Sequence, residues 1–157
     1  RTTTSTSAAT LSTITISPSI AQGQHFEIVG MAGKSTGAAA TASMGLTVNA
    51  TTVVIPVSAT NQMGWNGSAT NQDESGHFKW WGAAGITNYQ TALNSAWTTK
   101  ISSSGAGVQD GPAATVANMD ALMPLAAITS FVTRGLVGNG LVTIRQDQVF
   151  VYAKAVV

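Results

Sequence analysis

Residues 38–48 read AAATASMGLTV, and this stretch decides the fold class because apolar residues alternate with small or polar ones along it. Successive side chains of a β-strand point to opposite faces of a sheet, so a period of two separates the two sets. The apolar set is Ala40, Ala42, Met44, Leu46 and Val48, and the other set is Thr41, Ser43, Gly45 and Thr47. The pattern predicts a strand in a sheet with one buried and one solvated face.

The residues that follow predict a hairpin. Asn49-Ala50-Thr51 stands where the chain should turn, and Asn tolerates a positive φ better than most residues. Residues 52–57 (TVVIPV) would form the returning strand. Pro56 has no N–H to donate, so this strand is expected to end there or to lie at a sheet edge.

Further strands are predicted on both sides of this hairpin, at 11–16, 24–31, 76–82, 96–101, 126–133, 141–146 and 149–157. Pro18 is expected to end the first of them, and a weak helical signal covers 87–95. Gly138-Asn139-Gly140 predicts a hairpin turn, and Asp147-Gln148 predicts a break between the last two strands. The final strand is apolar on both faces, so it should be central or covered by a partner.

About eight strands with little helix predict an all-β fold, an antiparallel β-sandwich. A jelly-roll-like arrangement fits the count, and an immunoglobulin-like sandwich fits nearly as well, because periodicity does not reveal strand order. The 157 residues suit one domain. We expect an extended N-terminal arm or linker over 1–12 and the sandwich over 13–157. The candidate assembly residues of the arm are Thr2, Thr3, Thr4 and Leu11.

Charge is scarce in this chain. Charged residues make up 8% of it, against about 25% in an average soluble domain, and the net charge is +1. Either uncharged polar residues hydrate the surface or neighbouring subunits cover much of it, and we favour the second. The thinly spread Lys and Arg argue against nucleic-acid binding. Apolar runs stay shorter than the roughly 20 residues of a membrane span, so no membrane insertion is expected.

The residues that could support catalysis or bind a metal are few. The chain has no Cys, six acidic residues and two His, and it lacks a G-x-S-x-G motif. Asp73, Glu74 and His77 form the densest group, but their spacing matches no recognised site, so we interpret them as part of a solvated loop. We therefore expect no catalytic residues, no metal and no cofactor.

All four tryptophans fall in the middle of the chain, at Trp65, Trp80, Trp81 and Trp97. Trp80 and Trp81 are adjacent, so in a strand their rings would point to opposite faces. An exposed tryptophan could anchor a subunit interface or stack on a sugar ring, and the four are therefore candidates for either role.

Residues 17–54 (SPSIAQGQHFEIVGMAGKSTGAAATASMGLTVNATTVV) and 128–155 (ITSFVTRGLVGNGLVTIRQDQVFVYAKA) carry a resemblance. In residue pattern they are similar to small β-sandwich virion proteins of tailed phages, namely head decoration proteins, head fibres and tail-fibre attachment domains. The resemblance implies a jelly-roll-like fold, a trimer or higher homo-oligomer, contact with capsid or tail proteins, and no catalysis.

The sequence therefore predicts a non-enzymatic assembly subunit located in a virion. Two alternatives remain open. One is an extracellular or cell-surface fibre subunit that polymerises by donating its N-terminal strand to a neighbour. The other is a carbohydrate-binding module that uses exposed tryptophan.

Overall fold

The computed structural model describes residues 1–34, 42–55, 64–65, 74–85, 94–101, 108–109 and 123–154. Eleven strands and no helix lie in these ranges, and eight of the strands have four or more residues. The strands are β1 (Thr2–Thr3), β2 (Ala9–Ile20), β3 (His25–Lys34), β4 (Ala42–Val48), β5 (Thr52–Ile55), β6 (Gly64–Trp65), β7 (Glu74–Ala83), β8 (Asn94–Ile101), β9 (Val108–Gln109), β10 (Ile128–Val137) and β11 (Ile144–Lys154). None of the described residues belongs to a helix that could cross a membrane.

The strands form two antiparallel sheets. Sheet 1 has the order β1-β11-β3-β7-β8-β9, and sheet 2 has the order β2-β10-β4-β5, with β6 also paired to β4. The inner faces of both sheets supply the buried core, in which the rings of Phe26 from sheet 1 and Phe131 from sheet 2 lie 5.0 Å apart. The predicted all-β antiparallel sandwich is confirmed.

The hairpin predicted around Asn49 is present between β4 and β5. Asn49 and Ala50 have φ values of 52° and 61°, and Thr51 donates its N–H to the Val48 carbonyl at 3.3 Å. The Asn49 side chain also donates to the Ala127 carbonyl at 2.9 Å and accepts from the Thr129 N–H at 2.8 Å. Asn49 therefore holds the turn against the start of β10 as well as reversing the chain.

The prediction of a solvated face on the strand before that hairpin is wrong. All seven residues of β4 are buried, including Ser43, Gly45 and Thr47 of the polar set. β4 lies inside sheet 2, between β10 and β5, and the Arg134 side chain of β10 donates its Nε–H to the Thr47 hydroxyl at 3.0 Å. Small residues such as Ser43 and Gly45 suit a strand that is covered on both faces.

Three predictions about strand ends are corrected. β2 continues through Pro18 to Ile20, because it is the edge strand of sheet 2 and Pro18 lies in a bulge between the paired residues Thr15 and Ile20, where proline is tolerated. The Asp147-Gln148 break is a bulge within the single strand β11. Glu74 begins β7, so the part of the acidic segment from Glu74 onward is strand and not loop.

The Gly138-Asn139-Gly140 turn reverses the chain, but it does not join a hairpin. Val142 donates its N–H to the Asn139 carbonyl at 3.0 Å, as expected for a tight turn. The strands on either side lie in different sheets, since β10 belongs to sheet 2 and β11 to sheet 1. Turn chemistry dictates that the chain reverses, whereas packing decides which neighbour the next strand joins.

A buried polar cluster links the two sheets. Gln146 of sheet 1 accepts from the Thr133 hydroxyl at 2.6 Å and donates through Nε2 to the Ser12 hydroxyl at 3.0 Å. Thr133 and Ser12 belong to sheet 2, and Gln146 and Thr133 are both buried. These bonds satisfy polar groups inside the sandwich and give the two sheets a defined alignment.

Candidate assembly face

The N-terminal residues lie on β11 of the same chain. Thr2 and Thr3 form β1, opposite Arg145 and Ile144. Arg1 extends this pairing, because its carbonyl accepts the Gln146 N–H and its amino nitrogen donates to the Gln146 carbonyl, both at 2.8 Å. The predicted arm is therefore seated on its own domain in this structure.

The rest of the predicted arm is part of the sandwich. Thr4 lies between β1 and β2, and β2 already begins at Ala9. The Leu11 side chain is buried in the core, next to Gly135 of the neighbouring strand. Leu11 thus contributes to the core of the domain.

The tryptophan pair divides between the two faces of sheet 1, as the alternation predicts. Trp80 is fully buried, and its ring lies 4.5 Å from that of Phe78. Trp81 points the other way and is half-buried on the outer face. Trp65 and Trp97 lie on β6 and β8, opposite Ala42 and Phe78 respectively, and their side chains fall outside the described part of the structure.

The outer face of sheet 1 carries exposed apolar side chains. Met31, Phe150 and Tyr152 are 41%, 51% and 53% exposed, and they are half of the large hydrophobic residues exposed in the described ranges. The register places Phe150 opposite Val29, and Tyr152 opposite Glu27. Glu27 is in turn opposite Trp81 of β7, so a row of Tyr, Glu and Trp crosses three strands.

Two charged groups near the centre of this face, Glu27 and Lys79, are paired with each other. Lys79 Nζ lies 3.3 Å from Glu27 Oε1 and 5.5 Å from the centre of the Trp81 ring. Such a partly exposed pair contributes at most about 1 kcal/mol to stability. Its main effect is to leave the centre of the outer face without net charge, beside the exposed aromatic rings.

A shallow groove of about 320 Å³ lies across the same face, between β11, β3 and β7. Its lining includes Met31, His77, Lys79, Gln148 and Phe150. Imidazole, ammonium and amide groups therefore lie beside apolar side chains in this groove.

The acidic segment shows no metal-binding arrangement in the described residues. Glu74 and His77 lie on β7, whereas Asp73 lies outside the described ranges. No group of three or more potential metal-ligating side chains comes together among the residues that the structure describes.

Sequence reasoning missed the outer face as a site. Phe150 and Tyr152 alternate with Val149 and Val151, so the sequence of the last strand is apolar on both faces and does not show which face is covered.

Comparisons of the chain with family models, with curated proteins and with solved structures return no match.

Proposed function

We propose that this chain is a non-enzymatic structural subunit that acts by associating with copies of itself, as a decoration or fibre protein of a phage virion. The observation that carries the proposal is the exposed apolar outer face of sheet 1, formed by Met31, Phe150 and Tyr152. Contiguous exposed apolar surface on a folded domain is typical of interaction sites.

The composition supports this proposal. A chain with 8% charged residues has few groups that keep monomers apart in solution. The charged pair on the outer face, Glu27 and Lys79, is internally neutralised and so opposes close approach only weakly. The virion setting rests on the resemblance in residue pattern to phage decoration and fibre proteins.

The mass of the purified chain tests the proposal. Light scattering over a range of micromolar concentrations should give a discrete multiple of 16.0 kDa, and negative-stain images of the same sample should show closed particles. Open filaments would instead support the surface fibre that polymerises by strand donation. A monomer at every concentration would refute self-association.

Glycan binding is a second candidate, favoured by the row formed by Tyr152, Glu27 and Trp81. Aromatic rings can stack on the apolar face of a sugar, and a carboxylate between them can accept hydrogen bonds from hydroxyls. Tryptophan fluorescence of the wild-type chain and of Trp81→Phe, titrated with a panel of oligosaccharides, tests it. A response that disappears in Trp81→Phe supports binding at this row, and a flat response across the panel refutes it.

A further inference from the structure

β11 has an unpaired stretch on one side. β3 pairs with it along its whole length, from Ile144 to Lys154. On the other side β1 reaches only Ile144 and Arg145, and Arg1 bonds to Gln146. Within the part of the chain that the structure describes, no strand pairs with this side from Gln148 to Lys154. We call this stretch the free edge.

Most of the free edge lacks the features by which proteins protect exposed edges. Edge strands are commonly blunted by charged residues, proline or bulges. In β11 the bulge and the ion pair of 2.8 Å between Arg145 and Asp147 lie before the free edge, and the one charged residue of the free edge, Lys154, is its last. Residues 148–153 (QVFVYA) contain neither charge nor proline.

A seam of apolar and uncharged polar residues runs beside the free edge, between β11 of sheet 1 and β2 of sheet 2. It forms a groove of about 630 Å³ with no charged residue in its lining. Ile14 and Ile16 from β2 and Val149 and Val151 from β11 pack against the core there but remain only half-buried. β2 contains Pro18, so its own edge is less suited to pairing than that of β11.

The free edge is complementary to itself. Val151 lies at its centre, so an antiparallel pair of two copies related by a twofold axis at Val151 uses its full length. Residues directly opposite in antiparallel strands point to the same face of the sheet. In this register Phe150 faces Tyr152 of the partner subunit, and both of these half-exposed rings lie on the outer face.

We infer that two copies of this chain pair through β11, antiparallel and centred on Val151, so that the two copies of sheet 1 become one continuous sheet. The inference rests on the proposed function, for which it specifies the interface. Each partner supplies the missing backbone hydrogen bonds of the other's free edge. Each also brings a second set of Val149, Val151 and Ile16 side chains to the seam. A twofold contact of this kind builds dimers, or larger assemblies made from dimers.

Disulfide cross-linking tests the register, because the chain has no cysteine of its own. In Val151→Cys the two new thiols face each other across the twofold axis, with Cα atoms about 4.5–5.5 Å apart, a separation that a disulfide spans. In Val149→Cys the two thiols are offset by about 13 Å along the strands, which is too far. Val149 and Val151 are both half-buried in the seam, so the second variant is a matched control.

Under mild oxidation, Val151→Cys should give a covalent dimer in high yield and Val149→Cys should remain largely uncross-linked. Equal cross-linking of the two variants would point to random collision and would overturn the inference. Failure of Val151→Cys to cross-link while the wild-type chain is oligomeric would overturn the interface but leave the proposed function standing. A monomeric wild-type chain would overturn both.

Paired charges provide a second test of the same register. In this register residue 150 of each copy lies opposite residue 152 of the other, which gives two symmetry-related contacts. Phe150→Lys/Tyr152→Lys places like charges opposite each other at both of them and should convert the assembly to its monomer. Phe150→Lys/Tyr152→Glu sets opposite charges there and should retain the assembly. Val53→Lys is the control, because Val53 is 55% exposed but lies in sheet 2.

The thermal unfolding midpoint of each variant, measured at equal concentration, shows whether the domain itself remains folded. Equal masses for the Lys/Lys and Lys/Glu variants would contradict the pairing of residue 150 with residue 152 of a second copy. A stable trimer insensitive to both double variants would likewise overturn this interface.

Discussion

At the scale of single residues, Gly30 shows how closely the strands of sheet 1 approach each other. A Cβ added to Gly30 would lie 2.6 Å from the Gln148 carbonyl oxygen and would also overlap the Phe78 ring. Gly30 is directly opposite Phe78 on the neighbouring strand. The Phe78 ring therefore packs directly on the backbone of Gly30. It occupies the space that the side chain of any other residue at position 30 would need.

We predict that Gly30→Ala destabilises the domain by about 1–3 kcal/mol, because the backbone of β11 must shift to accept a methyl group. Urea unfolding followed by tryptophan fluorescence measures the change. Gly140→Ala is the matched control, since among the described residues a Cβ there meets only the Thr4 carbonyl oxygen, at 3.8 Å. Equal stability losses in the two variants would contradict the close-packing argument.

At the scale of elements, the Gln146 cluster provides a polar contact between the two sheets. Gln146 lies just before the bulge of β11, and Arg1 bonds to its backbone while Thr133 and Ser12 bond to its side chain. The same residue thus connects the N-terminal strand, sheet 1 and sheet 2. Its position also marks where β1 stops and the free edge begins.

We predict that Gln146→Leu lowers the free energy of unfolding by about 1–3 kcal/mol, because the hydroxyl groups of Thr133 and Ser12 lose a buried partner. Thr133→Val in the Gln146→Leu background should cost less than it does alone, since it removes one of the orphaned groups. A double-mutant cycle by chemical denaturation measures this coupling. Strict additivity would show that the bond between Gln146 and Thr133 does not stabilise the fold.

At the scale of the whole molecule, low charge and a free edge whose one charged residue is the terminal Lys154 predict how assembly responds to salt. Contacts made by backbone pairing and apolar side chains are screened little by ions, unlike contacts between charged patches. The expected assembly therefore depends on burial of the seam and of the outer aromatic rings.

We predict that the mass from light scattering stays constant when sodium chloride rises from about 0.05 to about 0.5 M, a range over which exposed charge pairs are strongly screened. Sodium sulfate should shift the equilibrium toward the assembly, because it strengthens apolar burial. Phe150→Lys/Tyr152→Glu is the matched comparison, since its engineered charge pairs should weaken as salt rises. Dissociation of the wild-type assembly by sodium chloride would contradict an apolar interface.

Much of the fold could be predicted from local pattern. The described part of the alternating stretch (42–48), the Asn49 turn and the strands near 76–82, 96–101 and 126–133 all correspond to strands or turns of the structure. The tryptophan pair was also predictable, because adjacent strand residues must face opposite sides. The outer face of sheet 1 was not predictable, since the sequence allows Phe150 and Tyr152 to point into the core as readily as away from it.

The sequence by itself determined that this chain forms an antiparallel all-β domain, because the period of two and the turn residues are local properties of the backbone. Only the tertiary structure decided the order of the strands, the burial of both faces of β4 and the crossing from β10 to β11 between sheets. It also decided that β1 covers one end of β11 and leaves the free edge unpaired among the described residues. These features depend on contacts between residues distant in the chain, such as Arg1 with Gln146, and periodicity carries no record of such contacts.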